Sequence, residues 1–160
     1  MIHCCDYLLN DPLPVPCLHL HNTTLSKCIP TTTTNRFHGT APDVIPKICS
    51  QGFNRSFCGK NAVVYGKGVY FANNSFYSNR YAHVDSKGVK RMFLCRVAVG
   101  EFCLGHNGQL TPDVRDNKRN LLYDSTTDNM DEKKRDMFVT YHDAQVNKNL
   151  TLYVLTIPLK

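Results

Sequence analysis

Two tyrosines and a serine follow one another at short intervals in a glycine-flanked segment of this chain. Residues 66–72 read GKGVYFA, which is typical of a short strand entered through a tight turn. In the following segment NNSFYSNRY, residues 75–81 read as one or two helical turns that carry Ser78 and Tyr81. This arrangement can present Tyr70 and Tyr81 as two aromatic walls with a serine hydroxyl between them, which predicts a ligand pocket.

A histidine lies upstream of this segment, in the tetrapeptide FHGT. Taken alone, His38 is weak evidence, because a histidine beside a glycine is more often a packing or turn residue than a catalytic one. The evidence that His38 is a functional residue depends on the tyrosines and the serine that follow.

The order of these blocks resembles the catalytic domain of the poly(ADP-ribose) polymerase family. An HGT tripeptide is followed about thirty residues later by YGKGVYFA, and then by a serine and a tyrosine at fixed offsets. The resemblance covers roughly residues 36–157 in consistent order and is closest to the intracellular mono-ADP-ribosyltransferase branch. Its further blocks are GFNRSFCGKNAVVYGKG (Gly52 to Gly68), RMFLCRVAVG (Arg91 to Gly100), YDS (Tyr123 to Ser125) and FVTYHDAQ (Phe138 to Gln145).

The resemblance implies that NAD⁺ is the co-substrate and that no metal takes part. Tyr70 and Tyr81 would enclose the pyridinium ring, at roughly 0.5–2 kcal/mol for each favourable contact. The backbone of Gly39 and the Ser78 hydroxyl match the family positions that bind the carboxamide, and His38 matches the one that binds an adenosine ribose hydroxyl. The remaining NAD⁺-binding candidates are Thr40 and Arg55, the latter for the pyrophosphate.

One catalytic position departs from the chain-extending members of the family, which carry a glutamate there. The resemblance assigns this position to Met137, beside His38 and Tyr70 as the catalytic set. Methionine cannot activate an incoming hydroxyl, so transfer would stop after one ADP-ribose and an acidic side chain of the acceptor protein would stabilise the cation. A shift of one residue would bring Asp136 to this position, but Asp136 closes a charged loop whereas Met137 continues an apolar strand.

The pattern of short apolar runs predicts an α+β domain, and the resemblance implies an ADP-ribosyltransferase fold of two packed, mainly antiparallel sheets with short flanking helices. Residues 1–35 are interpreted as an irregular lead-in and residues 36–160 as the catalytic domain. Asp43 is the expected N-cap of a helix that includes Pro46 and stops at Gly52. Strands are predicted at 36–39, 68–71, 92–99, 138–141 and 152–157, and surface loops at 105–119 and 124–136.

Composition excludes some classes of protein. No apolar run approaches the roughly 18 residues of a membrane span, and the first residues do not read as an export signal, so an intracellular protein, cytoplasmic or nuclear, is expected. The eight cysteines include no C-x-x-C and are expected to be reduced thiols in a monomer. The net charge of +6 alone is a poor argument for a nucleic-acid partner. A catalytically silent binding module remains the main alternative.

Overall fold

The computed structural model describes residues 33–57, 63–146 and 152–157. Two short helices, three 3₁₀ turns and nine strands lie in these ranges. The helices are α1 (Ile45–Gln51) and α2 (Ser75–Asn79), and the 3₁₀ turns are Arg55–Phe57, Glu132–Lys134 and Asp143–Gln145. The strands are β1 (Thr33–Gly39), β2 (Val69–Ala72), β3 (Lys90–Ala98), β4 (Phe102–Leu104), β5 (Val114–Asp116), β6 (Leu121–Leu122), β7 (Ser125–Thr127), β8 (Met137–Thr140) and β9 (Leu152–Ile157).

Seven of the strands form one sheet in the order β4-β7-β8-β2-β1-β3-β9, and β5 and β6 form a separate pair. All neighbours in the large sheet are antiparallel except β4 and β7. Strand β1 pairs with β3 along its whole length but meets β2 at one residue pair, Phe37 and Ala72. The α+β class is confirmed. The two expected sheets are two halves of one hydrogen-bonded sheet, and we call the narrow junction between β1 and β2 the seam.

The core lies against both halves of the sheet. Phe93, Cys95 and Val97 alternate along β3 and belong to the core, and Phe71 of β2 and Phe138 of β8 join them. Phe53, which follows α1, packs edge-on against Phe71 and Phe93, with ring centroids 5.1 and 5.6 Å apart. Phe53 thereby fixes the segment that follows α1 to β2 and β3.

The start of helix α1 differs from the expectation. Val44 is its N-cap and no side chain caps it, so the assignment of Asp43 was wrong. The Asp43 carboxylate instead lies 3.6 Å from the Lys47 ammonium, four residues along the chain. Pro46 in the first turn and the end of the helix at Gly52, with φ of 81°, agree with the sequence.

The two segments expected to be surface loops contain strands. The first includes β5, and the second begins with β7, whose three residues are completely buried. Their hydroxyls allow this, because each donates to a carbonyl oxygen: Ser125 to Val99, Thr126 to Tyr65 and Thr127 to Met137, all at 2.7 Å.

The beginning of the chain is described only from Thr33. Strand β1 starts there, so the last three residues assigned to the lead-in belong to the sheet. The rest of the predicted lead-in lies outside the described residues, and the division into lead-in and catalytic domain stays a prediction.

Candidate active site

Helix α2 packs closely on the end of β1. The Ser78 side chain is buried, and its hydroxyl donates to the carbonyl oxygen of Phe37 at 3.0 Å. A Cβ on Gly39 would overlap the carbonyl oxygen of Ser78 and lie 3.0 Å from the amide nitrogen of Ala82. Only glycine fits between this strand and helix, so Gly39 and Ser78 lie side by side, and their contact with a carboxamide stays a prediction.

His38 extends across the seam between β1 and β2. Its Nδ1 lies 2.8 Å from the carbonyl oxygen of Tyr70. Because a carbonyl oxygen can only accept, Nδ1 carries the hydrogen and Nε2 is left as an acceptor. Burial lowers the pKa of His38, with the hydrogen bond to Tyr70 opposing this, so the imidazole is neutral near pH 7.

The same imidazole also packs in an aromatic cluster. Its ring centroid lies 4.9 Å from that of Phe53 and 5.6 Å from that of Phe71. These contacts support the interpretation of His38 as a packing residue. The hydrogen bond from Nδ1 to the Tyr70 carbonyl oxygen additionally leaves Nε2 as a hydrogen-bond acceptor.

The ring of Tyr70 is fixed by the loop that precedes it. Its hydroxyl donates to the carbonyl oxygen of Gly66 at 2.8 Å and accepts from the amide of Tyr65 at 3.1 Å. The phenol therefore closes the YGKGVY turn, and its ring orientation depends on that turn.

Tyr81 lies against a tyrosine that the sequence interpretation did not select. Its ring centroid is 5.8 Å from that of Tyr77, with an angle of 34° between the planes. Burial raises the pKa of Tyr77 and its hydrogen bond with Tyr81 adds to this, so the Tyr77 phenol is protonated. The spacing of four residues on a helical turn was a signal for this contact.

Met137 and Tyr70 share one face of the sheet. Met137 lies opposite Ala72, and Tyr70 lies opposite Val139. Residues opposite one another in an antiparallel pair point to the same side, as do residues two apart along a strand. The buried Met137 side chain is therefore diagonal to Tyr70, on the face away from Phe71 and Phe138.

Two carboxylates lie near the start of β8. Asp136 is exposed, and its carbonyl oxygen accepts from the amide of Asn73 at 2.7 Å. Asp128, which the sequence interpretation missed, accepts from the amides of Asp136 and Met137 at 3.1 Å. These hydrogen bonds fix the first residues of β8 and engage the Asp128 carboxylate. No sequence pattern predicted these bonds.

Arg55 contacts two other loops of the protein. Its guanidinium donates to the carbonyl oxygens of Tyr141 at 3.2 Å and Leu110 at 2.9 Å, and lies over the Tyr141 ring. The structure thus gives Arg55 the role of fastening two loops, and contact with a pyrophosphate stays a prediction. Thr40 is half-buried directly after β1.

The described ranges contain neither a cluster of metal ligands nor a membrane-spanning helix. Across residues 33–57, 63–146 and 152–157, no three His, Cys, Asp or Glu side chains come together as metal ligands would. No helix of these segments has the length and apolar character of a membrane span.

Known proteins similar to this chain point to a common family. The profile described as the poly(ADP-ribose) polymerase catalytic domain matches residues 21–156. Mouse protein mono-ADP-ribosyltransferase PARP10 is 39% identical over 111 residues, which are 68% of this chain and 11% of that protein. Human protein mono-ADP-ribosyltransferase PARP14 is 39% identical over 112 residues, which are 68% of this chain and 6% of that protein. The chain thus spans a small part of the length of these relatives.

A solved structure supports the fold. The PARP domain of Arabidopsis RADICAL-INDUCED CELL DEATH1 has a TM-score of 0.60 to this chain at 22% sequence identity. The match covers 81% of this chain and 70% of that chain. At this identity, the similarity concerns the arrangement of strands and helices.

Proposed function

This chain belongs to the poly(ADP-ribose) polymerase catalytic-domain family, and we propose that it transfers a single ADP-ribose from NAD⁺ to a protein. The observation that carries the proposal is the buried Met137 on the Tyr70 face of the sheet, where chain-extending relatives need a glutamate. The names of the similar mouse and human proteins, both mono-ADP-ribosyltransferases, support the same product.

The neighbourhood of Gly39 fits the nicotinamide end of NAD⁺. The Ser78 oxygen, which donates to Phe37, keeps lone pairs that can accept from a carboxamide N–H. Tyr70 and Tyr81 are held in place by the Gly66 turn and by Tyr77, so neither ring has to be ordered when it stacks on the pyridinium.

The neutral imidazole of His38 suits the other end of the dinucleotide. Its Nε2 can accept a hydrogen bond from a ribose hydroxyl, while Nδ1 stays bound to the Tyr70 carbonyl. Protonation would remove this acceptor, and burial opposes protonation.

In the proposed reaction, the bond between the ribose C1 atom and the nicotinamide nitrogen breaks. Nicotinamide leaves as a neutral molecule with the bonding electron pair, and the ribose becomes oxocarbenium-like. A carboxylate oxygen of the acceptor protein then attacks C1 and forms an ester, so no proton has to be removed. This step needs no general base, which agrees with the apolar Met137 side chain.

The activity can be tested with NAD⁺ labelled in its adenine. We expect the 160-residue chain to label protein, and we expect His38→Ala to lower the rate about 10²-fold or more. The exposed His83→Ala serves as the matched control and should keep the wild-type rate. Equal labelling by wild type and His38→Ala would contradict the proposed enzymatic activity. Binding of NAD⁺ without labelling would instead support the silent binding module, for which the missing glutamate is the argument.

A further inference from the structure

Two half-buried arginines lie over the same phenylalanine ring at the seam of the sheet. The Cζ atom of Arg36, on β1, is 5.0 Å from the centroid of the Phe138 ring. The Cζ atom of Arg135, just before β8, is 5.4 Å from it and 4.5 Å from the Phe102 centroid. A guanidinium that stacks on a ring keeps N–H groups on its edge for in-plane hydrogen bonds.

Many of these N–H groups have no protein acceptor in the described part of the chain. Arg135 donates through Nε and Nη2 to the carbonyl oxygens of Asn129 and Met130. Arg36 donates through Nη1 to the carbonyl oxygen of Asn35, and its Nε is buried without a partner. Within residues 33–57 and 63–146, no carboxylate forms an ion pair with either guanidinium.

Within the part of the chain that the structure describes, the two charges are therefore uncompensated. Burial lowers the pKa of Arg36, and repulsion from Arg135 lowers it further, yet an arginine stays protonated near neutral pH. The Asn73 side-chain oxygen is also buried without a partner, and Asn73 directly follows Ala72, the residue opposite Phe37. A neutral amide can satisfy one N–H, but it does not offset two positive charges.

We propose that Arg36 and Arg135 form a binding site for a phosphate group. Two guanidinium groups match the roughly −1.5 to −2 charge of a phosphate at pH 7 better than the single charge of a carboxylate. The Thr34 hydroxyl, buried without a partner two residues before Arg36 on the same face of β1, supplies a further donor. Two sources can supply phosphate oxygens: the diphosphate of NAD⁺, which carries one negative charge on each phosphate, and a separate phosphorylated ligand. The site does not depend on the proposed transferase activity.

Titration calorimetry with inorganic phosphate, at constant ionic strength on the 160-residue chain, tests the site. We expect Arg36→Leu to weaken phosphate binding about tenfold or more, because it removes charge-assisted hydrogen bonds. Arg96→Leu removes the same charge from an exposed position on β3 and should bind like the wild type. Equal binding by Arg36→Leu and the wild type overturns the proposal, as does wild-type binding no stronger to phosphate than to acetate.

A second variant covers the case in which Arg36→Leu does not fold. Arg135→Lys keeps the charge and loses the planar fork, so we expect weaker phosphate binding by a folded protein. Unchanged binding by this variant also contradicts the site. Competition then identifies the source: displacement of phosphate by NAD⁺ assigns the group to the co-substrate, and binding that persists with NAD⁺ assigns it to a separate ligand.

Discussion

At the residue scale, the proposed chemistry depends on which side chain stands at the start of β8. Asp136 is exposed and its backbone, rather than its carboxylate, contacts Asn73. We therefore expect Asp136→Asn to keep the transfer rate within about twofold, since no transition-state contact is lost. Met137→Leu, which conserves volume in a buried site, should do the same. A loss of about 10²-fold for Asp136→Asn in initial rates would show that the carboxylate takes part.

The imidazole of His38 has a second consequence, for stability. Its folded pKa lies below the ordinary 6.5, so between these two values the unfolded chain binds more protons than the folded one. The contribution of neutral His38 is complete above about pH 6.5 and is lost as the pH falls towards the folded pKa.

Urea unfolding at several pH values measures this effect. We expect the stability difference between wild type and His38→Gln to increase with pH up to about 6.5 and then to level off. His83→Gln replaces an exposed histidine, and its unfolding free energy should change with pH as that of the wild type does. A difference that is constant from pH 5 to 8 would contradict the assignment of a buried neutral imidazole.

At the element scale, the active-site geometry depends on the close approach of α2 to β1. Gly39→Ala would force the strand and the helix apart, because backbone atoms of Ser78 and Ala82 surround the new methyl group. We expect a loss of about 1–3 kcal/mol in unfolding free energy and weaker NAD⁺ binding.

Gly108→Ala is the control for this substitution. Its φ of 74° disfavours alanine at about 1–2 kcal/mol, yet nothing lies within 4 Å of the added methyl group. Both variants should therefore lose stability in chemical unfolding, whereas only Gly39→Ala should weaken NAD⁺ binding in calorimetry. Parallel losses of affinity would show that the contact of α2 with Gly39 does not shape the site.

The elements differ in how far the sequence could predict them. β3 and β8 could be predicted because each is a run of apolar residues. α2 could be predicted because a polar segment with helical spacing directly follows the strand β2. β7 was not, since its Ser and Thr residues read as a loop and become buried only when carbonyl oxygens of other segments accept their hydroxyls. In the site, family resemblance supplied Gly39, Ser78 and the tyrosines. The contact of Arg55 with Tyr141 depends on residues far apart in sequence, which no local pattern encodes.

At the scale of the whole molecule, the sheet is joined in the middle by one residue pair, and the candidate site lies along this seam. His38 crosses the seam to the Tyr70 carbonyl, and α2 contacts the strands on both sides. His38 and Tyr70 thus belong to different halves of the sheet, and the core phenylalanines pack against both halves. The phosphate site that we propose for Arg36 and Arg135 lies at the same seam, two residues before His38 and Met137.

Mass spectrometry of the chain after incubation with NAD⁺ measures how many ADP-ribose units each acceptor side chain receives. We expect discrete increments of one ADP-ribose, and peptide mapping should find a single unit on each modified acidic side chain. His38→Ala should show no increment under the same conditions. A ladder of linked ADP-ribose units on one side chain would contradict the proposed single transfer, because Met137 gives the enzyme no group with which to extend a chain.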